Sequence, residues 1–342
     1  MTDWLTESRD RYLECLLDFL WRQWTLLGVS GVSESQDHRI IDPEALLLFS
    51  LSMGRYEPRL FDEVIDWLIQ NGHFINVQRL QRLQKKHPFA CGPQLAAVAE
   101  LLSQSAKYKL KWSGLAKTHR QAQTEALFFD QQGRPLPVPE EHNACPTFLA
   151  HGLNRGPVKL RGHSQPFDNQ RTACLLLRMR ALVGIHARAE LLCVLASVKE
   201  IHPSQAARLT GYYQKTIQTT LSEMAQSGVI LSRTTRKIKA YQLKSGLMDA
   251  LLRPDDTPVQ WIHWPSLLHT AEFLWYGLCR LSQASLDTLL LSSELIKLMR
   301  KAAELCEHAN LPDIAVEPTV STPEIPIRFQ AFLHTVSRQL LP

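Results

Sequence analysis

The chain has 342 residues, of which 45% are hydrophobic and 21% charged, a balance typical of a globular protein of two or three domains. This composition argues against a disordered chain, a coiled coil or a collagen-like repeat. Seven cysteines without a CxxC pair argue against a disulfide framework and favour reduced thiols in a cytoplasmic protein.

The first predicted element is an amphipathic helix within residues 12–29. Its apolar side chains recur at steps of three and four: Leu13, Leu16, Leu17, Leu20 and Trp24. Glu14, Asp18 and Arg22 interrupt the apolar run, so it predicts neither a signal peptide nor a membrane span. No later stretch reaches the roughly 18–20 uncharged apolar residues that a bilayer requires. We therefore expect a soluble, cytoplasmic protein with no membrane partner.

Residues 1–128 are predicted to form a helical N-terminal domain. One helix begins at Asp42-Pro43-Glu44, with Asp as N-cap, Pro at the first position and an acid in the first turn. Further helices are predicted at 58–71, 77–86 and 93–105. Three acids in the first of these, Asp62, Glu63 and Asp66, lie opposite its apolar stripe. We interpret them as a solvated face.

Residues 129–170 are rich in proline and glycine and are predicted to be an irregular linker or docking segment. Arg155, Lys159 and Arg161 form a small basic patch here, which is interpreted either as a phosphate contact or as a solvated loop. The segment also contains potential metal ligands: His142, Cys145, His151 and His163. Their spacing matches no closed zinc motif, so we expect loop residues and no metal.

Charge sets apart the third predicted domain, residues 171–247. From Arg171 to Ser245 there are twelve Lys or Arg and three acids, a net charge of +9, which leaves −4 for the rest of the chain. A basic island in a slightly acidic chain is typical of a nucleic-acid-binding module.

Helices are predicted in this domain at 172–184 and 187–198, then a short extended piece that ends in Ser204 as an N-cap. A brief helix at 205–209 leads into a turn at Gly211, where glycine permits a positive φ.

A longer helix at 213–226 follows, with Ile217, Leu221 and Met224 on its buried face. Two β-patterned segments, 229–233 and 239–243, are predicted to form a basic hairpin that ends in Tyr241-Gln242-Leu243.

Residues 248–342 are predicted to form a helical C-terminal region, with helices at 265–282, 286–308 and 329–340. Trp261, Trp264 and Trp275 are flanked by leucines and phenylalanine. They could stack bases or form an aromatic cage, but a core or a subunit interface is the favoured interpretation.

The succession of helix, short helix, glycine turn, longer helix and basic hairpin resembles the winged helix-turn-helix of MarR-type and ArsR-type bacterial transcription regulators. The resemblance covers residues 187–243 only. It implies a mainly α protein whose central winged helix-turn-helix, with a two-stranded wing, is flanked by helical N- and C-terminal regions.

The longer helix is expected to read bases in the major groove of DNA, and the hairpin beside it to contact the backbone. The candidate base-reading residues are Gln214, Lys215, Gln218, Thr219 and Ser222. The candidate backbone-contact residues are Ser204, Tyr212, Tyr213, Thr216, Arg233, Arg236, Lys237 and Lys239. Between 213 and 222 the helix contains no acid, as a surface facing phosphates requires.

These observations predict a sequence-specific, double-stranded-DNA-binding transcriptional regulator of the repressor type. We expect a homodimer, because one winged helix reads few base pairs and the helices outside it have apolar faces in excess. No catalytic residue, metal or cofactor is expected, and any effector is unidentified. Two alternatives stay open: a winged-helix adaptor that binds protein without DNA, and an enzyme with an unrecognised site in the N-terminal domain.

Overall fold

The computed structural model describes residues 3–31, 38–119, 123–235, 238–244, 246, 249–252, 258–306 and 324–341. Of these described residues 65% lie in helices and 6% in strands, so the protein is mainly α, as the sequence predicts.

The helices of the N-terminal part are α1 (Asp3–Leu26), α2 (Pro43–Met53), α3 (Pro58–Asn71), α4 (Val77–Lys86), α5 (Gly92–Ser103) and α6 (Lys109–Ala116). The predicted cap of α2 is confirmed, because the Asp42 carboxylate accepts the N–H of Ala45 at 3.2 Å. Asn76 caps α4 in the same way, accepting the N–H of Arg79 at 3.0 Å. Helix α6 is absent from the sequence predictions.

The middle of the chain is irregular, as predicted. A short parallel pair joins β1 (Glu125–Ala126) to β2 (Leu153–Asn154), with α7 (Pro146–Leu149) between them in sequence.

The acids of α3 are not a solvated face, which corrects the sequence interpretation. Glu63 and Asp66 are buried, because the irregular segment lies over them. Arg155 pairs with Asp62 at 2.7 Å, and the backbone N–H of Ser164 donates to Asp66 at 3.1 Å. Arg155 is buried by this contact, so it serves to dock the segment onto α3.

The central segment forms a compact helical unit with an antiparallel hairpin. Its elements are α8 (Leu175–Val183), α9 (Ala187–Ser197), α10 (Pro203–Thr210), α11 (Gln214–Gln226), β3 (Ile230–Thr235) and β4 (Ile238–Leu243). In the hairpin Arg233 lies opposite Ala240, and Thr234 lies opposite Lys239. Ile201, just before α10, bridges to Tyr241 through two backbone hydrogen bonds of 2.8 and 2.9 Å.

The C-terminal helices are α12 (Asp249–Leu252), α13 (Trp264–Gln283), α14 (Thr288–Cys306) and α15 (Ile325–Leu340). The last three share one hydrophobic core with α1–α6, and the Tyr12 hydroxyl donates to the Ala271 carbonyl at 3.3 Å between α1 and α13. The apolar faces of α1 and α13 are therefore covered within the chain. Trp264 and Trp275 are fully packed in this core.

A second core belongs to the central segment and includes Trp261. The core interpretation of the three tryptophans is thus confirmed. Two extended segments pair between the two cores: the N–H of Ile40 donates to the Gln260 carbonyl at 2.9 Å. Ile40 and Trp261 face the second core, while their neighbours Ile41 and Ile262 face the first.

Candidate nucleic-acid interface

The turn between α10 and α11 is built on Gly211. Its φ is +75°, and its N–H donates to the Ala207 carbonyl at 3.0 Å, which ends α10. The predicted positive φ is confirmed. A Cβ at this position would lie 3.0 Å from Leu83 Cδ2 of α4, so the turn packs directly against the N-terminal part of the protein.

The side chains of α11 divide cleanly between core and solvent. Ile217, Leu221 and Met224 are buried, as the sequence predicts. Four candidate base-reading side chains are exposed: Gln214, Lys215, Gln218 and Thr219. Ser222 lies apart from them, because it is half-buried and its hydroxyl is 3.4 Å from that of Tyr241 in the hairpin.

The start of α10 differs from the prediction at Ser204. His202 is the N-cap, and its Nδ1 accepts the Ser204 N–H at 3.2 Å. The reason is Pro203, which occupies the first helical position, so the cap is His202, two residues before Ser204. The Ser204 side chain is exposed at the start of this helix, with its hydroxyl 2.7 Å from His202 Nδ1.

Two tyrosines, Tyr212 and Tyr213, immediately precede α11. Tyr213 is 68% exposed, whereas Tyr212 is half-buried and its hydroxyl accepts from Asn76 Nδ2 at 2.8 Å. Arg82 of α4 lies over both rings, with its Cζ 4.7 Å from the centroid of Tyr212 and 5.6 Å from that of Tyr213. Thr216 is exposed one turn further along.

The hairpin carries exposed cations. Arg233 and Lys239 are both exposed, and the Lys239 Nζ lies 5.2 Å from the centroid of the Tyr241 ring. Arg236 and Lys237, predicted at its tip, lie outside the described residues.

Beneath the turn lies a buried ion network that is not among the sequence predictions. It is formed by Asp42, Glu44, Arg79, Arg180 and Glu190. All five side chains are fully buried. Arg79 pairs with Asp42 at 2.5 Å and with Glu44 at 2.6 Å, and Arg180 pairs with Glu44 and Glu190 at 2.6 Å each. Burial opposes ionisation of Asp42, but the charge and hydrogen bonds of Arg79 hold the pKa of Asp42 below its usual value.

The ion network connects the two cores to the turn. Its acids come from the N-cap of α2, from α2 and from α9, and its guanidiniums come from α4 and α8. Arg79 Nε also donates to the Thr210 carbonyl at 2.8 Å. One sequence signal could have found it. Glu44 is the only acid in α2, a helix with every residue buried, and a buried carboxylate requires a buried partner.

The basic island is less basic at its surface than the sequence count suggests. Arg180 is used in the ion network, and Arg188 pairs with Glu223 at 2.6 Å. The potential metal ligands of the irregular segment do not converge: among the described residues, no three His, Cys, Asp or Glu side chains form a group able to hold a metal. His151 Nε2 lies 2.7 Å from Glu100 instead.

No protein-family model, curated protein or solved structure matches this chain. Within the described ranges, none of the helices combines the length and the apolar composition needed to cross a membrane.

Proposed function

We propose that residues 171–247 are a winged helix that binds double-stranded DNA, and that the protein is a transcriptional regulator of the repressor type. The observation that carries the proposal is the exposed face of α11, where Gln214, Lys215, Gln218 and Thr219 project beside a hairpin with exposed cations. Amide side chains pair with adenine and lysine with guanine in the major groove.

Electrostatics supports this assignment. The first acid of α11 is Glu223, which lies in the last turn of the helix, and Arg188 neutralises it at 2.6 Å. Arg233 and Lys239 lie on adjoining strands of the hairpin, so two cations stand beside the reading face. A surface of amides, hydroxyls and cations is what a groove lined with acceptors and phosphates requires.

The strand geometry also supports a winged helix. The bridge between Ile201 and Tyr241 adds a third extended segment to the edge of the hairpin and fixes the hairpin to the start of α10. The hairpin and α11 are joined through Ser222 and Tyr241. The two elements proposed to contact DNA are thus held in a fixed relation to each other.

A homodimer is part of the proposal, but its support is narrower than the sequence suggested. The apolar faces of α1 and α13 are covered within the chain, and of the described helices on which the dimer was predicted only the start of α14 exposes large apolar side chains, Leu289 and Leu290. What remains is the symmetry argument, because two copies on a palindromic site double the sequence that is read. Light scattering with and without DNA tests it, and a monomer in both conditions would contradict it.

The proposed function would place the protein in the bacterial cytoplasm. Salt-dependent binding to duplex DNA is its test. Fluorescence anisotropy with a short labelled duplex should show binding that weakens linearly in log Kd against log salt concentration. Selection of bound sequences from a random duplex pool should then return a preferred site. Absence of binding at low salt would contradict the proposal.

A further inference from the structure

An open groove of about 700 Å³ lies between α4, α6, the loop before α9 and the start of α11. We name it the α4–α6 groove. Its polar lining includes Gln78, Gln81, Arg82, Lys111, His186 and Thr216. None of the described residues that line it is acidic. A groove with cations and amides and no carboxylate favours an anionic ligand.

The groove flanks the proposed reading face on the side away from the hairpin. Ser222 contacts Tyr241 of the hairpin, whereas Thr216 lines the groove. At 100° per residue these two positions are roughly 120° apart around α11. Lys215 and Thr219 fall between them on the exposed surface. The hairpin and the α4–α6 groove therefore lie on opposite flanks of the same helix face.

Two cations of α4, Arg82 and Lys85, form no ion pair with a described residue, unlike Arg79 of the same helix. Gln78, Arg82 and Lys85 follow one face of α4 at steps of four and three. Arg82 Nε is buried without a hydrogen-bond partner in the described part of the chain. Lys85 is exposed and forms no ion pair with any described residue. On α6, Lys111 donates to the His73 carbonyl at 2.6 Å, which occupies one of its three N–H groups.

The groove is also held rigidly against α11. Leu83 packs on the Gly211 turn, Arg79 donates to the Thr210 carbonyl at 2.8 Å, and Asn76 donates to the Tyr212 hydroxyl at 2.8 Å. These contacts fix α4 to the turn before any ligand binds. The position of the α4–α6 groove relative to α11 is therefore fixed, and a ligand bound to α11 that is long enough also reaches the groove.

A DNA duplex is a ligand that can contact α11 and the α4–α6 groove at the same time. A helix in the major groove lies between two phosphate backbones about 12 Å apart, and the hairpin flanks it on one side only. We propose that the α4–α6 groove binds backbone phosphates of the second strand through Arg82 and Lys111, which line it, and that Lys85, one turn beyond Arg82 on α4, binds the same strand. This inference rests on the proposed function and extends the DNA-binding surface beyond the winged helix into the N-terminal helices.

Three single variants test the inference: Arg82→Gln, Lys85→Gln and Lys111→Gln. The matched control is Lys301→Gln on α14, which removes an exposed lysine from another part of the protein. Anisotropy with a labelled duplex over about 50 to 200 mM salt gives the affinity and its salt slope. Each test variant should bind about tenfold more weakly at low salt, since a charge-assisted hydrogen bond is removed.

The salt slope should fall in magnitude by about 0.9 for each phosphate that the protein no longer neutralises. The preferred site from random-pool selection should not change, because phosphate contacts carry little sequence information. Thermal melts show which variants fold. If Arg82→Gln does not fold without its tyrosine contacts, Lys85→Gln and Lys111→Gln still decide the question.

The outcomes separate this inference from the proposed function. If the wild type binds duplex DNA and all folded test variants match Lys301→Gln in affinity and slope, the groove inference is overturned and the proposed function stands. If the wild type binds no duplex, both are overturned. Weaker binding with a reduced slope and an unchanged preferred site supports both.

Discussion

Glu44 of α2 and Arg79 of α4 form a 2.6 Å ion pair in which neither side chain has any exposure to solvent. Glu44 also pairs with Arg180 of α8 at 2.6 Å. One carboxylate thus bridges two buried guanidiniums, one from the N-terminal helices and one from the central segment. Glu44 is therefore one of the contacts that join the proposed DNA-binding unit to the N-terminal helices.

The first prediction concerns Glu44→Gln. The variant breaks the buried ion pairs of Glu44 with Arg79 and Arg180, although Asp42 and Glu190 still pair with these two guanidiniums. We therefore expect the free energy of unfolding to fall by about 2–3 kcal/mol, the contribution of the lost charged hydrogen bonds. Urea denaturation measures it. The control is Glu125→Gln, which removes an exposed partner of Arg55 and should cost less than about 1 kcal/mol. Equal losses in the two variants would show that the ion network does not contribute as proposed.

The second prediction concerns the turn. Gly211 and Gly228 both have a positive φ, of +75° and +77°, but only the Cβ of Gly211→Ala would meet a neighbour, Leu83, at 3.0 Å. Each alanine variant should lose about 1–2 kcal/mol of stability from backbone strain. Gly211→Ala should lose more, and the excess should shrink in the double variant with Leu83→Ala. An equal loss at both glycines would argue against close packing of α4 on the turn.

The third prediction concerns sequence reading by α11. Gln214→Ala, Lys215→Ala and Gln218→Ala should each relax base preference at one or two positions of the selected site, by about 1–3 kcal/mol per base. Their melting temperatures should stay near that of the wild type, since all three side chains are exposed. Ile217→Ala, which leaves a cavity in the core, is the contrasting variant and should lose about 2–5 kcal/mol of stability. Wild-type preference in all three surface variants would rule out α11 as the reading helix.

The fourth prediction concerns the hairpin. Arg233→Ala and Lys239→Ala should weaken binding to all duplexes alike, because backbone contacts carry little sequence information. Each should reduce the magnitude of the salt slope by about 0.9. Lys297→Gln on α14 serves as the control for the removal of one positive charge. A slope unchanged from the wild type would mean that the hairpin does not face DNA.

Local features of the sequence predict much of the helical framework. The bounds of α3 and α4 agree with those predicted, and Pro58 and the Asn71-Gly72 pair mark the two ends of α3. The glycine turn and the buried face of α11 follow from equally local patterns. These signals act within a few residues, where a single sequence is most informative.

The pairing of distant residues could not be predicted in the same way. Glu44 and Arg180 are 136 positions apart, and the irregular segment that covers the acids of α3 has no period from which to predict its docking. The position of α4 beside α11 could not be predicted either. It depends on contacts such as that of Leu83 with Gly211, which only the folded chain brings together.

The last prediction concerns Glu272 of α13, which is buried and accepts the backbone N–H of Ala90 at 2.9 Å. Burial raises the pKa of its carboxyl to about 7, although hydrogen bonds from Ser52 and Ala90 act in the other direction. In the unfolded chain a glutamate ionises near pH 4.3. The folded state therefore keeps this proton to a higher pH than the unfolded state does.

The contribution of Glu272 to the free energy of unfolding is therefore at its maximum below about pH 4.3, and it decreases progressively as the pH rises to about 7. Glu272→Gln has no proton to lose and can still accept from Ala90, so its stability relative to the wild type should rise over this window by on the order of 3 kcal/mol. Urea denaturation of both proteins at several pH values measures the difference, in which the titration of groups common to both proteins largely cancels. A difference that stays constant from pH 4 to pH 8 would mean that Glu272 ionises in the folded protein as it does in the unfolded chain, and that its burial carries no electrostatic cost.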